Sequence, residues 1–328
     1  MNDAKGTDLE KQLAGCSKVE ENSSITCAPS DSASQLRRAF ACAGNKIKSI
    51  FTGGTKLKGG KSRIWELDFI RGICVLLMVF DHFIFDIADI FGRAWSLASD
   101  SAVIESIYEA ASDFASSPFH DTAQHIVVWI FCLICGISCY FSRSNLKRGI
   151  IVAICAAIVT AVTKAIGTPI RFGILHMFAV AILLFWLIDT ICRRNKRLTA
   201  TVCLVLGIAI ICIDAAMSSY SEAVGSLASD SSLYFIGDWM LGGPFYSADY
   251  YPIFPSVGYM LIGSFVGFTL YSKRRSLLPR LGKYGWHAPI DIWGRLALYV
   301  YILHQVVIAV ILALISYLFL TPGDFVII

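Results

Sequence analysis

Between residues 66 and 86 an otherwise apolar run carries Glu66, Asp68, Arg71, Asp81, His82 and Asp86. An ionised side chain at the centre of a bilayer costs about 2.5 kcal/mol or more, so each such group is a functional candidate that needs a partner. Arg71 and His82 are eleven positions apart, almost three helical turns and about 16 Å of rise, which puts them on one face. Asp68 lies three residues before Arg71 and Asp86 four after His82, so both acids reach their basic neighbours along that face. A guanidinium recognises phosphate or carboxylate through forked, charge-assisted hydrogen bonds. An imidazole moves a proton near neutrality. Asp86 would fix its tautomer and raise its basicity, as an orienting carboxylate does in hydrolase triads. Asp81, adjacent to His82, is expected to point elsewhere. Two plainer readings stand beside these: Asp68 and Arg71 mark a membrane interface where an arginine snorkels, and His82 satisfies an interhelical hydrogen bond.

The elements that would position these groups are apolar spans. The chain is 56% apolar and only 16% charged over 328 residues, with a positive mean hydropathy, which is outside the range of ordinary soluble domains. Runs able to cross a hydrocarbon core, which takes roughly 20 helical residues, lie at 66–90, 123–142, 149–166, 171–192, 198–216, 253–272 and 293–319. The sequence thus predicts an all-α polytopic membrane protein of about seven transmembrane helices. Lysine and arginine collect before the first span and in the connections 143–148, 193–197 and 273–283, whereas 91–122 and 217–252 hold only Arg93 between them. By the positive-inside rule the N-terminus is inside and the C-terminus outside. The net charge of +4 then reports topology and gives no warrant for nucleic-acid binding. Most of the eleven cysteines fall within the spans and act there as small packing residues. Cys132 and Cys135 form a CxxC without a second ligand pair, so no metal is expected.

Residues 1–62, rich in Ser, Lys, Gly and acids, read as a disordered, basic cytoplasmic leader preceding a membrane domain at 63–328. Within it, apolar residues recur at helical spacing over 36–51 beside basic ones, as in an interfacial helix on anionic lipid; a plain basic tether is the alternative. The connections 91–122 and 217–252 are long enough to be functional or disordered. The second is dense in aromatics, among them Tyr234, Trp239, Tyr246, Tyr250 and Tyr251, which suits either the membrane–water interface or a substrate-facing rim.

An arginine followed by ten residues and a histidine in the first helix resembles the signature of the acyltransferase type-three membrane proteins. The fuller string from Glu66 to Gly72 resembles the bacterial relatives of heparan-alpha-glucosaminide N-acetyltransferase. So do Phe131 to Gly136, Ser142 to Gly149, Arg171 to His176, Asp249 to Pro255, Gly282 and Tyr301 to Gln305. These segments run in order through nearly the whole chain outside the leader. The resemblance implies a multi-pass enzyme of the cell membrane, bacterial inner membrane, that takes an acetyl or other acyl group from cytosolic acyl-CoA and delivers it to an acceptor, often a sugar, on the far side. Partners would be acyl-CoA, a glycan or sugar and the bilayer, with a homo-oligomer left open.

On that resemblance Arg71, with Arg143, Arg148 or Arg171, would meet the coenzyme A phosphates, although loop arginines equally serve topology. His82 would be the general base on the acceptor, with an acyl-histidine intermediate as an alternative. In the lysosomal branch, however, the essential histidine resembles one in the first non-cytoplasmic connection, a region that here offers His120 and His125. His125 is the second candidate base. His176, Asp249 and His304 fall on the acceptor side; lone histidines within helices also serve packing or hydrogen bonding. A transporter or flippase would share intramembrane charges, but its broken midplane helices have no counterpart in two halves of this sequence.

Overall fold

The computed structural model of the chain describes residues 63–98, 101–167, 170–224 and 249–319. The leader, the expected interfacial helix and most of the aromatic connection lie outside them. Among the described residues there is no strand. Helix α1 (Trp65–Phe85) runs without a break into a π-helical stretch, Asp86–Phe91, and on into α2 (Gly92–Ala98). Then come α3 (Ala102–Ala115), α4 (Pro118–Phe141), α5 (Asn145–Ile166), α6 (Ile174–Ile191), α7 (Lys196–Val224), α8 (Ser256–Thr269), a 3₁₀ turn (Leu281–Tyr284), α9 (Ala288–Arg295) and α10 (Ala297–Phe319).

Each expected span contains a helix. Five of them, α4, α5, α6, α7 and α10, are long and apolar enough to cross a membrane. Helix α1 is set apart by its charges, and α8 by its 14-residue length. One connection is more ordered than a loop. The segment 91–122 folds largely into α2 and α3, and α4 begins at Pro118, capped by the Ser117 hydroxyl accepting from the His120 amide at 3.2 Å. The last span divides, because Leu296 (φ −94°, ψ 7°) leaves helical geometry between α9 and α10.

Packing falls into two groups of helices. In one, the short α8 is held between α4 and α7 and also touches α6, with α5 packed on α6. In the other, α1 is flanked by α9 and α10, and α2 and α3 cover its far end. The tightest crossings are made by glycines in pairs. A Cβ at Gly136 on α4 would strike the Met260 carbonyl on α8, and one at Gly263 on α8 would strike the Leu133 carbonyl on α4. Likewise Gly72 of α1 faces the Ile290 carbonyl of α9, while Gly294 of α9 faces the Asp68 carbonyl of α1. Backbones so close gain van der Waals contact where the lipid supplies no hydrophobic drive. Met177, Met260, Leu261 and Val257 form the dry centre of the first group.

The outward faces of α5 and α10 are bare hydrocarbon: Ile154, Ile158 and Val162 on one, Leu303, Val306, Val310 and Leu314 on the other are each about half exposed or more. Contiguous apolar surface of this extent is covered by lipid in a membrane protein. Gly136→Val or Gly294→Val should therefore destabilise the detergent-solubilised protein by about 1–3 kcal/mol or more through overpacking against backbone, whereas Ile154→Leu on the lipid face should leave the thermal unfolding temperature unchanged.

Candidate active site

The helices place chemistry at two levels, and a cavity runs from the first to within one helical turn of the second. At the end where the basic connections gather, Arg71 donates to Asp68 Oδ1 at 2.7 Å and to Ser138 Oγ of α4 at 2.9 Å. Arg148 of α5 reaches the same residue from the other side, its Nη1 donating to the Ser138 carbonyl at 3.2 Å and to Asn145 Oδ1 at 3.4 Å. These bonds occupy two of the five N–H donors of Arg71 and a single nitrogen of Arg148, which leaves donors on both guanidinium groups. Asp68 also lies 3.4 Å from Arg63 Nη1 and 3.7 Å from Arg295 Nε.

A second layer stabilises this end. His287 Nδ1 lies 2.7 Å from Asp291 Oδ2, and its Nε2 donates to the Gly282 carbonyl at 3.2 Å. Burial pushes the Asp291 carboxyl up from the ordinary range, against the pull of the His287 hydrogen bond and of Arg295. Glu66 Oε1 accepts from the Leu277 amide at 2.7 Å and so ties the 273–283 connection to α1.

From Arg71, Ser138 and Arg148 a cavity of about 410 Å³ extends along α1, α4, α5, α6 and α10. It lies where the two helix groups meet. Its walls beyond the arginines are almost wholly apolar, from Val75, Phe131 and Phe178 to Met78 and Tyr301 at the far end. A volume of this size suits a small-molecule site, and apolar walls with a few convergent polar groups are the usual composition of one.

One helical turn beyond Met78 and Tyr301 stand His82 and His304, their rings stacked at 4.8 Å and 18°. His304 Nδ1 donates to the Tyr301 carbonyl at 2.7 Å, which leaves Nε2 as the lone-pair nitrogen. That atom is buried without a hydrogen-bond partner among the described residues. Asp81 binds His120 through a short hydrogen bond and accepts from Gln124 at 3.1 Å, and one of its oxygens is 3.9 Å from His82 Nδ1.

Two expectations about this end change. Asp81 does not point away from His82, because α3 and the start of α4 bring His120 over it and hold the carboxylate there. Asp86, expected to orient His82, keeps the regular helical register, its backbone N–H on the His82 carbonyl, but its carboxylate takes both of its hydrogen bonds from Gln305 Nε2, at 2.8 and 2.9 Å.

The remaining predicted residues are divided by the fold. Arg71 and Arg148 share the cavity wall. Arg143 is exposed and outside the lining, and Arg171 lies at the opposite end, next to the start of α6. His125 is half exposed near the start of α4, with Nδ1 on the Asp121 carbonyl at 2.8 Å. His176 uses both nitrogens internally: Nδ1 accepts from the Gly173 amide at 3.2 Å, and Nε2 meets Thr160 Oγ1 at 3.1 Å while that hydroxyl donates to the Ile170 carbonyl. It stitches α5 to α6. Asp249 accepts from the Tyr301 hydroxyl at 3.3 Å. Among the described residues no group of three His, Cys, Asp or Glu side chains has a metal-binding arrangement. Sequence reading missed Gln305, Tyr301, Ser138 and the Asp81–His120 pair. Gln305 and Tyr301 were visible only as neighbours of His304.

Comparison with known families places this geometry. The family model described as heparan-alpha-glucosaminide N-acetyltransferase, catalytic, matches residues 63–306. The chain belongs to this family. Neither curated proteins nor solved structures gave a match. The match begins just before α1 and ends in α10 after His304, so the matched region contains both arginines, the cavity and the histidine pair.

The Asp86–Gln305 contact can be tested separately from catalysis. Gln305→Leu leaves a buried carboxylate without its partner and should cost about 3 kcal/mol or more. Asp86→Asn, which can still pair with Gln305, should cost far less, and the double change Asp86→Leu with Gln305→Leu should recover much of the loss; thermal unfolding in detergent reads all three.

Proposed function

We propose that the chain is a seven-span acyltransferase of the bacterial plasma membrane, moving an acetyl or other acyl group from acyl-CoA to a sugar acceptor across its two-level site. The carrying observation is the placement of the stacked His82–His304 pair one turn beyond a cavity whose other end holds two arginines with spare donors. The basic end is the cytoplasmic one, by the positive-inside rule. Acyl-CoA enters there, with Arg71 and Arg148 meeting its phosphates and the thioester leading into the cavity.

In this reading His82 is the general base. Its ring is about a quarter exposed, and its Nδ1 faces the Asp81 carboxylate, which favours a proton on that nitrogen and leaves Nε2 to act. The acceptor amine or hydroxyl gives its proton to His82 as the heteroatom attacks the thioester carbonyl. The tetrahedral intermediate then collapses, breaking the carbon–sulfur bond and releasing coenzyme A. The unpartnered Nε2 of His304 supplies a hydrogen-bond acceptor for a second polar hydrogen of the acceptor, which relieves a buried atom that otherwise costs about 1–3 kcal/mol. His120, with one nitrogen on Asp81 and the other 3.1 Å from the Ala115 carbonyl, acts by holding Asp81. His125, half exposed near the start of α4, is the alternative base.

Purified protein in lipid nanodiscs, supplied with acetyl-CoA and amino-sugar acceptors, should release coenzyme A and form acylated sugar. His82→Ala should lower transfer about 10²- to 10⁴-fold, the usual contribution of a general base, while donor binding persists. Arg71→Ala should instead weaken donor binding by roughly tenfold or more, the loss of a hydrogen bond to a charged group. Full turnover by His82→Ala together with loss in His125→Ala would move the base to His125.

A further inference from the structure

Tyr301 lines the cavity in a way that an ordinary wall residue does not. Its ring is held at two points, the hydroxyl and the face toward His304. The hydroxyl donates to Asp249 Oδ2 at 3.3 Å, the carbonyl accepts from His304 Nδ1 at 2.7 Å, and the ring packs at 5.7 Å against the His304 imidazole. Asp249 is itself held against the start of α6: a Cβ on Gly173 would stand 3.1 Å from the Asp249 carbonyl oxygen, and the Tyr251 amide donates to the Phe172 carbonyl at 3.1 Å. The segment 249–251 thus spans from α6 to α10 across the end of the cavity. The Tyr301 hydroxyl links it to α10.

We infer that Tyr301 sets the length of acyl group the enzyme accepts, by presenting a fixed ring to the tip of a donor chain that enters from the arginine end. This rests on the acyl-CoA reading of the cavity and adds a specificity to it. A chain entering past Arg71 and Arg148 leads with its acyl tip, so the acyl carbons are the first part to meet the far wall. Met78, which also lines the cavity, is an unbranched and adaptable side chain, so it yields where the anchored tyrosine does not. The floor therefore accepts a short acyl group and refuses added methylenes, each of which changes rate about 10- to 200-fold when an apolar pocket must admit or exclude it.

The test compares acetyl-, butanoyl-, hexanoyl- and octanoyl-CoA in nanodiscs, reading both binding and coenzyme A release. In an open-ended apolar cavity, affinity would climb roughly fourfold with each added methylene. In the wild-type protein it should instead stop rising or fall beyond the short chains. Tyr301→Leu and Tyr301→Ala should shift the ratio of hexanoyl to acetyl turnover upward by about tenfold or more, the smaller side chain shifting it further. Tyr301→Phe, which keeps the ring, should hold the wild-type ratio whatever its absolute rate. Affinity that keeps climbing to octanoyl in the wild type, or an unchanged ratio in folded Tyr301→Ala, would overturn the gauge and leave the acyltransferase reading standing. Absence of both binding and release with every donor would remove that reading and the gauge with it.

Discussion

Everything at the basic end follows from one constraint: a guanidinium placed in an apolar helix must be surrounded by acceptors. Arg71 meets this with Asp68 on its own helix and Ser138 on α4. Because Arg148 of α5 binds the carbonyl of that same serine, one residue of α4 joins three helices. Asp68 in turn gathers Arg63 and Arg295, which brings α9 against α1 and seats Gly72 and Gly294 on each other's backbones. Ion pairing sets the register here, and packing then follows it. Buried pairs of this kind add little net stability over a well-packed apolar replacement. Their worth lies in fixing where the cavity opens and which charges border it.

The opposite end is organised by neutral and singly charged contacts, and it differs in how much it leaves unsatisfied. Asp86, Asp81 and His176 are fully engaged with Gln305, His120 and Thr160. His82 and His304 are held by stacking, by one carbonyl and by the nearby Asp81 carboxylate, which leaves the buried Nε2 of His304 without a hydrogen-bond partner among the described residues. That contrast, saturated surroundings enclosing two under-used rings, is the pattern expected where a site is prepared before its ligand arrives.

The sequence carried some of this plainly and some not at all. The apolar runs gave the helices because length and hydropathy are local properties. The Asp68–Arg71 contact was legible because both residues lie on one helix at a spacing that brings side chains together. Asp86 was paired with His82 by the same rule; the helix is regular between them, but Gln305 of α10 takes the carboxylate, a partner that only the packing of α10 on α1 supplies. The Asp81–His120 pair could not be read, because it depends on α3 and the start of α4 folding back over α1. The glycine crossings were equally hidden: Gly136 and Gly294 look like any membrane glycine until Met260 and Asp68 are known to lie opposite.

The stretch from Asp86 to Phe91 closes its hydrogen bonds over five residues where a regular helix uses four. One residue amounts to about 100° of helical rotation, so side chains before and after it follow two different phases of the same rod. Arg71 and His82 keep the first phase, toward the cavity. Trp95 keeps the second, and its indole donates at 2.7 Å to Ser316 near the other end of α10. The chain length between His82 and Trp95 therefore works as a phase setting, and a single-residue deletion there would be felt as a rotation of everything that follows, with no chemical group of the site itself removed.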